Sequence, residues 1–162
     1  MEKYRIKACI LSLILIFLSA CSEEFKSINT NERLAFSYNG FEKTLSLNSK
    51  LDNFLLVFFT KECNVCNEQI PILKDLALKN DLKIFLILDG IKDENEARIW
   101  SKKKDLKLST FYEKRAGEFF SSVVNGVYGV PVLSVFKNGK MSDKFIGLTP
   151  LSVLEKSLFE FS

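Results

Sequence analysis

Two unbroken apolar runs stand out along the chain. Residues 54–59 (FLLVFF) and 84–88 (IFLIL) leave no polar position to face water, the pattern of central strands covered on both sides. Between them, residues 64–79 carry Ile70, Leu73, Ala77 and their neighbours at helical spacing, with Pro71 inside predicting a kink. Strand, helix and strand in that order imply a parallel pair with a right-handed crossover. Residues 93–104 (DENEARIWSKKK) read as a surface helix with acids first and lysines last, so its lysine run is a solvated helix end. A strand over 107–112 and a short helix over 116–124 follow. Residues 132–136 and 143–146 are predicted strands joined through Asn138-Gly139, a hairpin signal. Thr149-Pro150 predicts the start of a last amphipathic helix over 150–161. Upstream, 34–38 and 44–47 flank Asn39-Gly40 and predict a strand pair. Residues 22–33 (SEEFKSINTNER) are polar and read as a flexible tether.

The first 20 residues follow a different pattern. A basic start (MEKYRIK) precedes an apolar run over residues 8–18. As a helix that run reaches roughly 16 Å against about 30 Å of hydrocarbon, so it is a secretory signal rather than a span. Its end, Leu18-Ser19-Ala20-Cys21, resembles the lipobox of bacterial lipoproteins. The resemblance implies cleavage before Cys21, lipidation of that residue and attachment to a membrane. It divides the chain into a signal peptide (1–20), a lipidated Cys21 with its tether (21–33) and a folded domain (34–162).

Charge adds little. The chain has 23 basic and 20 acidic residues, a net of +3, and losing Lys3, Arg5, Lys7 and Glu2 with the leader brings it close to zero. Nothing there points to nucleic acid. Histidine is absent, which excludes Ser–His and Cys–His pairs and imidazole metal ligands. No cofactor is implied. Of the four cysteines, Cys9 leaves with the leader and Cys21 is taken by lipid, so Cys63 and Cys66 remain in an oxidising compartment.

Cys63-Asn64-Val65-Cys66 falls where a buried strand ends and a helix begins. Residues three apart in a first helical turn share a face and can be bridged. The helix N-terminus favours a thiolate on the first cysteine. A CxxC can also be half a zinc site or a structural bridge. Zinc needs further ligands that this chain does not supply, and a bridge closing so short a loop stabilises little.

The segments FFTKECNVCNEQIP and YGVPVLSVFKNGK together resemble the thioredoxin superfamily, and within it the membrane-anchored TlpA/ResA-like proteins, over residues 34–162. The resemblance implies an α/β thioredoxin-like fold, a central mixed sheet flanked by helices, with an extra N-terminal strand pair. It implies Cys63 as nucleophile, Cys66 as resolving thiol, and Val130 with a cis Pro131 as the substrate-docking loop. Three positions depart from the family pattern. Val57 stands where many members bury an acid, Gln69 where many have Glu, and Glu62 where an aromatic is usual. Glu62 opposes thiolate formation at Cys63 and Lys61 favours it. Glu68, beside Gln69, is the candidate to replace the missing acids. Glu62, Glu68 and Gln69 are therefore the expected tuning positions.

The expected activity is thiol–disulfide exchange in the cell envelope, facing the periplasm or the cell exterior. Expected partners are exported cysteine-containing proteins, a membrane thiol protein that donates electrons, and the lipid membrane through Cys21. Reduction of substrates is favoured because no cation lies between the cysteines. A disulfide-forming oxidase, or a non-enzymatic Cu(I)- or polypeptide-binding protein, is the alternative.

Overall fold

The computed structural model describes residues 21–79 and 82–159. The predicted signal peptide lies outside the described residues. Among these, eight strands form one mixed sheet and four helices pack on it. The strands are β1 (Cys21–Lys26), β2 (Arg33–Asn39), β3 (Thr44–Leu47), β4 (Phe54–Thr60), β5 (Lys83–Asp89), β6 (Ser109–Phe111), β7 (Val132–Lys137) and β8 (Lys140–Ile146). The helices are α1 (Asn64–Lys79), α2 (Glu94–Lys103), α3 (Lys114–Val123) and α4 (Leu151–Phe159). The sheet order is β1-β2-β3-β8-β7-β4-β5-β6. β4 and β5 are parallel, as are β5 and β6, while β7 runs antiparallel to β4. The two apolar runs thus lie side by side inside the sheet, where neither face meets water.

Alternation along β4 divides the core by residue type. Phe54, Leu56 and Phe58 face a cluster with Phe25, Phe36, Phe85, Phe111, Phe120 and Phe136. Leu55, Val57 and Phe59 face the opposite cluster, with Leu73 and Leu76 of α1, Trp100 of α2 and Leu154 of α4. Phe36 is the hub of the first cluster. Its ring centroid lies 4.8 Å from that of Phe120, 5.2 Å from Phe85 and 5.9 Å from Phe111, all edge-on. Such contacts add to the burial of each ring.

The polar stretch read as a tether is corrected here. Residues 21–26 form β1, an edge strand paired antiparallel with β2 from Cys21 opposite Tyr38 to Lys26 opposite Arg33. The N-terminal addition therefore has three strands, the expected pair plus β1. Only Phe25 and Ile28 are large and apolar in the stretch, yet Phe25 is 1% exposed and sits among Phe36, Phe111, Phe119 and Phe120. The Arg115 guanidinium lies over its ring, 5.2 Å from the centroid. The rest of the strand is polar because an edge strand faces water, and charge there discourages pairing with other chains. Residues 27–29 are also held. Ile28 N donates to the Thr110 carbonyl at 3.0 Å, and the Ile28 carbonyl accepts from Arg98.

Smaller differences have local causes. The β2–β3 connection is a four-residue turn rather than a tight Asn-Gly one, because Asn39 Oδ1 accepts from the backbone N–H groups of both Phe41 and Glu42. Lys43, not Gly40, takes the left-handed conformation there, with φ of 54°. Asn138 and Gly139 do form the predicted tight hairpin, both at positive φ. Asp93 caps α2 by accepting from Glu96 N at 2.8 Å. At α4 the Pro150 carbonyl accepts the first helical hydrogen bond, so the helix begins one residue later than Thr149-Pro150 suggests.

Candidate active site

The chain leaves β4 at Thr60 and turns at once into α1. Cys63 N donates to the Thr60 carbonyl, and the Cys63 carbonyl accepts from Asn67 N, which makes Cys63 the residue that caps α1. Its sulfur takes the capping role that a Ser or Asp oxygen fills elsewhere, accepting from Cys66 N at 3.0 Å. Cys63 and Cys66 are joined in a disulfide with an S–S distance of 2.09 Å. Cys63 is partly exposed, whereas Cys66 is fully buried with Val57, Phe59 and Ile70. When the pair is reduced, the helix N-terminus stabilises negative charge on Cys63, and apolar neighbours solvate an anionic Cys66 poorly.

The second predicted segment meets the first. The Val130–Pro131 peptide is cis, and the Val130 carbonyl oxygen lies 3.9 Å from Cys63 Sγ. Pro131 is buried, and its carbonyl accepts from Gly147 N at 2.8 Å, which ties the loop to the end of β8. Lys144 on β8 donates to the Val124 and Gly126 carbonyls and so holds the approach to Val130. Sequence reading missed Lys144, because nothing local links it to a loop 18 residues upstream. Tyr128, two residues before Val130, is 91% exposed. A cleft of about 440 Å³ opens from Val130 past Phe58, Ile87 and Tyr112 to Glu113 and Gly117.

The expected tuning residues divide. Glu62 is exposed, 3.9 Å from Lys61. Lys61 is engaged by Glu96 of α2 at 2.6 Å instead. The hydrogen bond between them raises Lys61 above the usual lysine value and lowers Glu96, which also accepts from Lys92 N. The contribution of a carboxylate with a lowered pKa is lost only as pH falls through that value, so the pair is intact at neutral pH. The lysine charge two residues before Cys63 is thereby compensated.

Gln69 is fully buried and points to the α4 entrance. Its Nε2 donates to the Thr149 carbonyl at 3.0 Å and its Oε1 accepts from Thr149 N at 2.7 Å. Gln69→Ala leaves both backbone groups unpaired in a buried place, and a loss of about 2–3 kcal/mol is expected in urea unfolding. A loss under about 0.5 kcal/mol would mean the bridge contributes nothing.

Glu68 is exposed, and residues two apart on a helix do not face each other, so it is turned away from Cys66. Glu68→Gln is expected to leave the pH–rate profile of mixed-disulfide release unchanged. A slower release near neutral pH would show that its carboxylate reaches the resolving thiol.

No family model and no curated relative matches the sequence. Solved structures do. The pneumococcal exposed lipoprotein thioredoxin Etrx1 of Streptococcus pneumoniae has a TM-score of 0.66 at 17% identity, over 87% of this chain and 100% of that one. StoA from Bacillus subtilis has a TM-score of 0.64 at 14% identity, over 85% and 96%. A secreted Mycobacterium tuberculosis disulfide oxidoreductase homologous to Escherichia coli DsbE has 0.59 at 15% identity, over 84% and 93%. The chain therefore has the thioredoxin fold, with a paired CxxC at the N-terminus of α1 and a cis-proline loop against it.

Proposed function

We propose that the protein is a thiol–disulfide oxidoreductase of the cell envelope, anchored by lipid at Cys21, that reduces disulfides in exported proteins. The observation that carries the redox reading is the Cys63–Cys66 pair at the cap of α1, with one sulfur partly exposed and the other buried. In the reducing direction, the Cys63 thiolate attacks a substrate disulfide. One substrate sulfur leaves as a thiolate and a mixed disulfide forms. Cys66, deprotonated, then attacks Cys63 Sγ and releases the second substrate thiolate. The substrate gains two electrons and the protein is left oxidised, to be reduced again by a donor dithiol. The Val130 loop beside Cys63 is the proposed docking edge for substrate. The envelope location is supported by the lipobox-like leader and by neighbours described as a secreted oxidoreductase and an exposed lipoprotein. Asn64 and Val65 between the cysteines, and the pairing of Lys61 with Glu96, leave the reduced thiolate without an uncompensated cation, which supports a reductant.

The test is the reduction potential of the pair, measured against dithiothreitol and glutathione buffers on the chain from residue 21 carrying Cys21→Ser. A value near or below about −270 mV supports the reductase. One near about −120 mV assigns an oxidase instead. Absence of a two-electron couple would discard the redox reading in favour of Cu(I) or polypeptide binding.

A further inference from the structure

Val130 belongs to two places at once. Its carbonyl oxygen lies 3.9 Å from Cys63 Sγ, and the same residue lines the cleft of about 440 Å³. A segment docked at that carbonyl with its cysteine on Cys63 therefore passes the mouth of the cleft. The walls come from distant parts of the chain. β4 and β5 supply Phe58 and Ile87, both nearly closed off from water, and the loop before Pro131 supplies Val127. α3 faces the cleft with Gly117, where an added Cβ would meet nothing within 4 Å. Glycine weakens a helix, and here it leaves room beside the docking loop.

These surfaces are apolar, but the cleft also carries acids without a cation. Asp89 ends β5 and Glu113 precedes α3, and both line it. Glu113 stands at the N-cap of α3 yet its side chain makes no capping hydrogen bond, and Asp89 accepts from the backbone of Gly90 next to it. Neither takes part in an ion pair among the described residues. The cations beside them are engaged elsewhere: Lys61 by Glu96, Lys114 by Glu118 and Arg115 by Glu23. Tyr112 lines the same cleft. Burial, then the fields of Glu94, Glu113 and Asp93, hold its hydroxyl above the usual tyrosine value, against the opposing charge of Arg98. The cleft thus joins an apolar interior to negative charge that the protein itself does not neutralise.

We infer that this cleft selects polypeptide substrates with a lysine or arginine near the attacked cysteine, its methylene stem against Phe58, Ile87 and Val127 and its charged end at Asp89 and Glu113. The inference rests on the oxidoreductase reading of Cys63 and deepens it by naming the substrate class. A long cationic side chain unites an apolar stem and a positive end in one group, which acidic and purely apolar side chains do not. The cleft starts at Val130, so the selected residue stands within about two positions of the cysteine, about 7 Å along an extended segment. Asp89 and Glu113 set specificity, while the bonds exchanged remain those of Cys63 and Cys66.

The experiment uses the full chain, purified in a non-ionic detergent and reduced, with peptides whose single cysteine is in a mixed disulfide with thionitrobenzoate. Cys63 attacks the peptide sulfur, thionitrobenzoate leaves as a coloured thiolate, and the peptide stays bonded to Cys63 until Cys66 displaces it as a thiolate. Lys, Met or Glu is placed at each of the two positions on either side of the cysteine. Rates are taken above those of Cys63→Ser, which subtracts reaction at other cysteines, and divided by those with dithiothreitol, which removes each peptide's own reactivity. For at least one position the Lys peptide is expected to react about tenfold faster than the Glu peptide, with Met between them, the scale of two partly exposed ion pairs. The ratio is expected to shrink at high salt. Asp89→Asn with Glu113→Gln is expected to bring it to about one, and Asp89→Lys with Glu113→Lys to invert it. Both rates in a ratio come from one preparation, so loss of folded protein does not alter it. Exchange without a Lys preference at any position, a preference that survives Asp89→Asn with Glu113→Gln, or a Met peptide that reacts fastest overturns the basic-substrate inference and leaves the redox reading standing. Thionitrobenzoate release no faster than that of Cys63→Ser overturns the redox reading, and the inference with it.

Discussion

Cys63→Ser is expected to abolish disulfide exchange, lowering insulin reduction by on the order of 10³-fold or more, the scale of losing a nucleophile. The reason lies in the geometry of the helix cap. Cys63 is the partly exposed sulfur, receives the Cys66 N–H at 3.0 Å, and sits against the Val130 carbonyl. A serine hydroxyl can still cap α1, so the fold should persist, which the circular dichroism of the variant will verify. Cys66→Ser should behave differently. It leaves the attacking thiol in place but removes the group that resolves the mixed disulfide, so substrate should accumulate covalently on Cys63 and appear as an adduct in non-reducing mass spectrometry. If Cys63→Ser retained activity while Cys66→Ser lost it, the roles of the two cysteines would have to be exchanged.

Phe36→Ala is expected to cost about 3–5 kcal/mol, the range for removing a large ring from a packed core. Phe36 is fully buried and meets Phe25, Phe85, Phe111 and Phe120, so its loss opens a cavity bordered by β1, β5, β6 and α3 together. The melting temperature should drop by about 10 °C on a domain of this size. The substitution separates two pictures of the N-terminal strands. If β1–β3 were an appendage beside an independent core, the main transition would hardly move. A large shift in a single transition would show that they fold with β4 and β5.

The cysteine pair and its surroundings were largely legible in the chain. An uninterrupted apolar run of six residues has one stable home, a strand covered on both faces, and a helix follows it directly. A CxxC at that junction must therefore sit on a helix N-terminus, whatever the remaining residues do. The Asn-Gly hairpin before β8 and the Asp cap of α2 were likewise local matters, decided by φ preference and side-chain reach.

The tether shows where local reading stopped. A stretch with two large apolar residues among charged and small polar ones has too weak a pattern to declare a strand. β1 exists because Phe25 fills a gap between rings supplied by β2, β6 and α3, and because β2 offers it an open edge. Gln69 shows the same limit at the site. Its position beside the cysteines suggested electrostatics, yet its partner is a backbone 80 residues away.

What the sequence determined by itself, then, was whatever is encoded within a few residues: periodicity, caps, turns and the placement of Cys63 and Cys66 at a strand–helix junction. Tertiary structure alone decided which edge the N-terminal strand would join, which carbonyl would stand beside Cys63 and which acid would hold Lys61. Each of those outcomes depends on groups far apart in the chain. They meet only when burial of the two apolar faces fixes the sheet order, and no local preference carries that information.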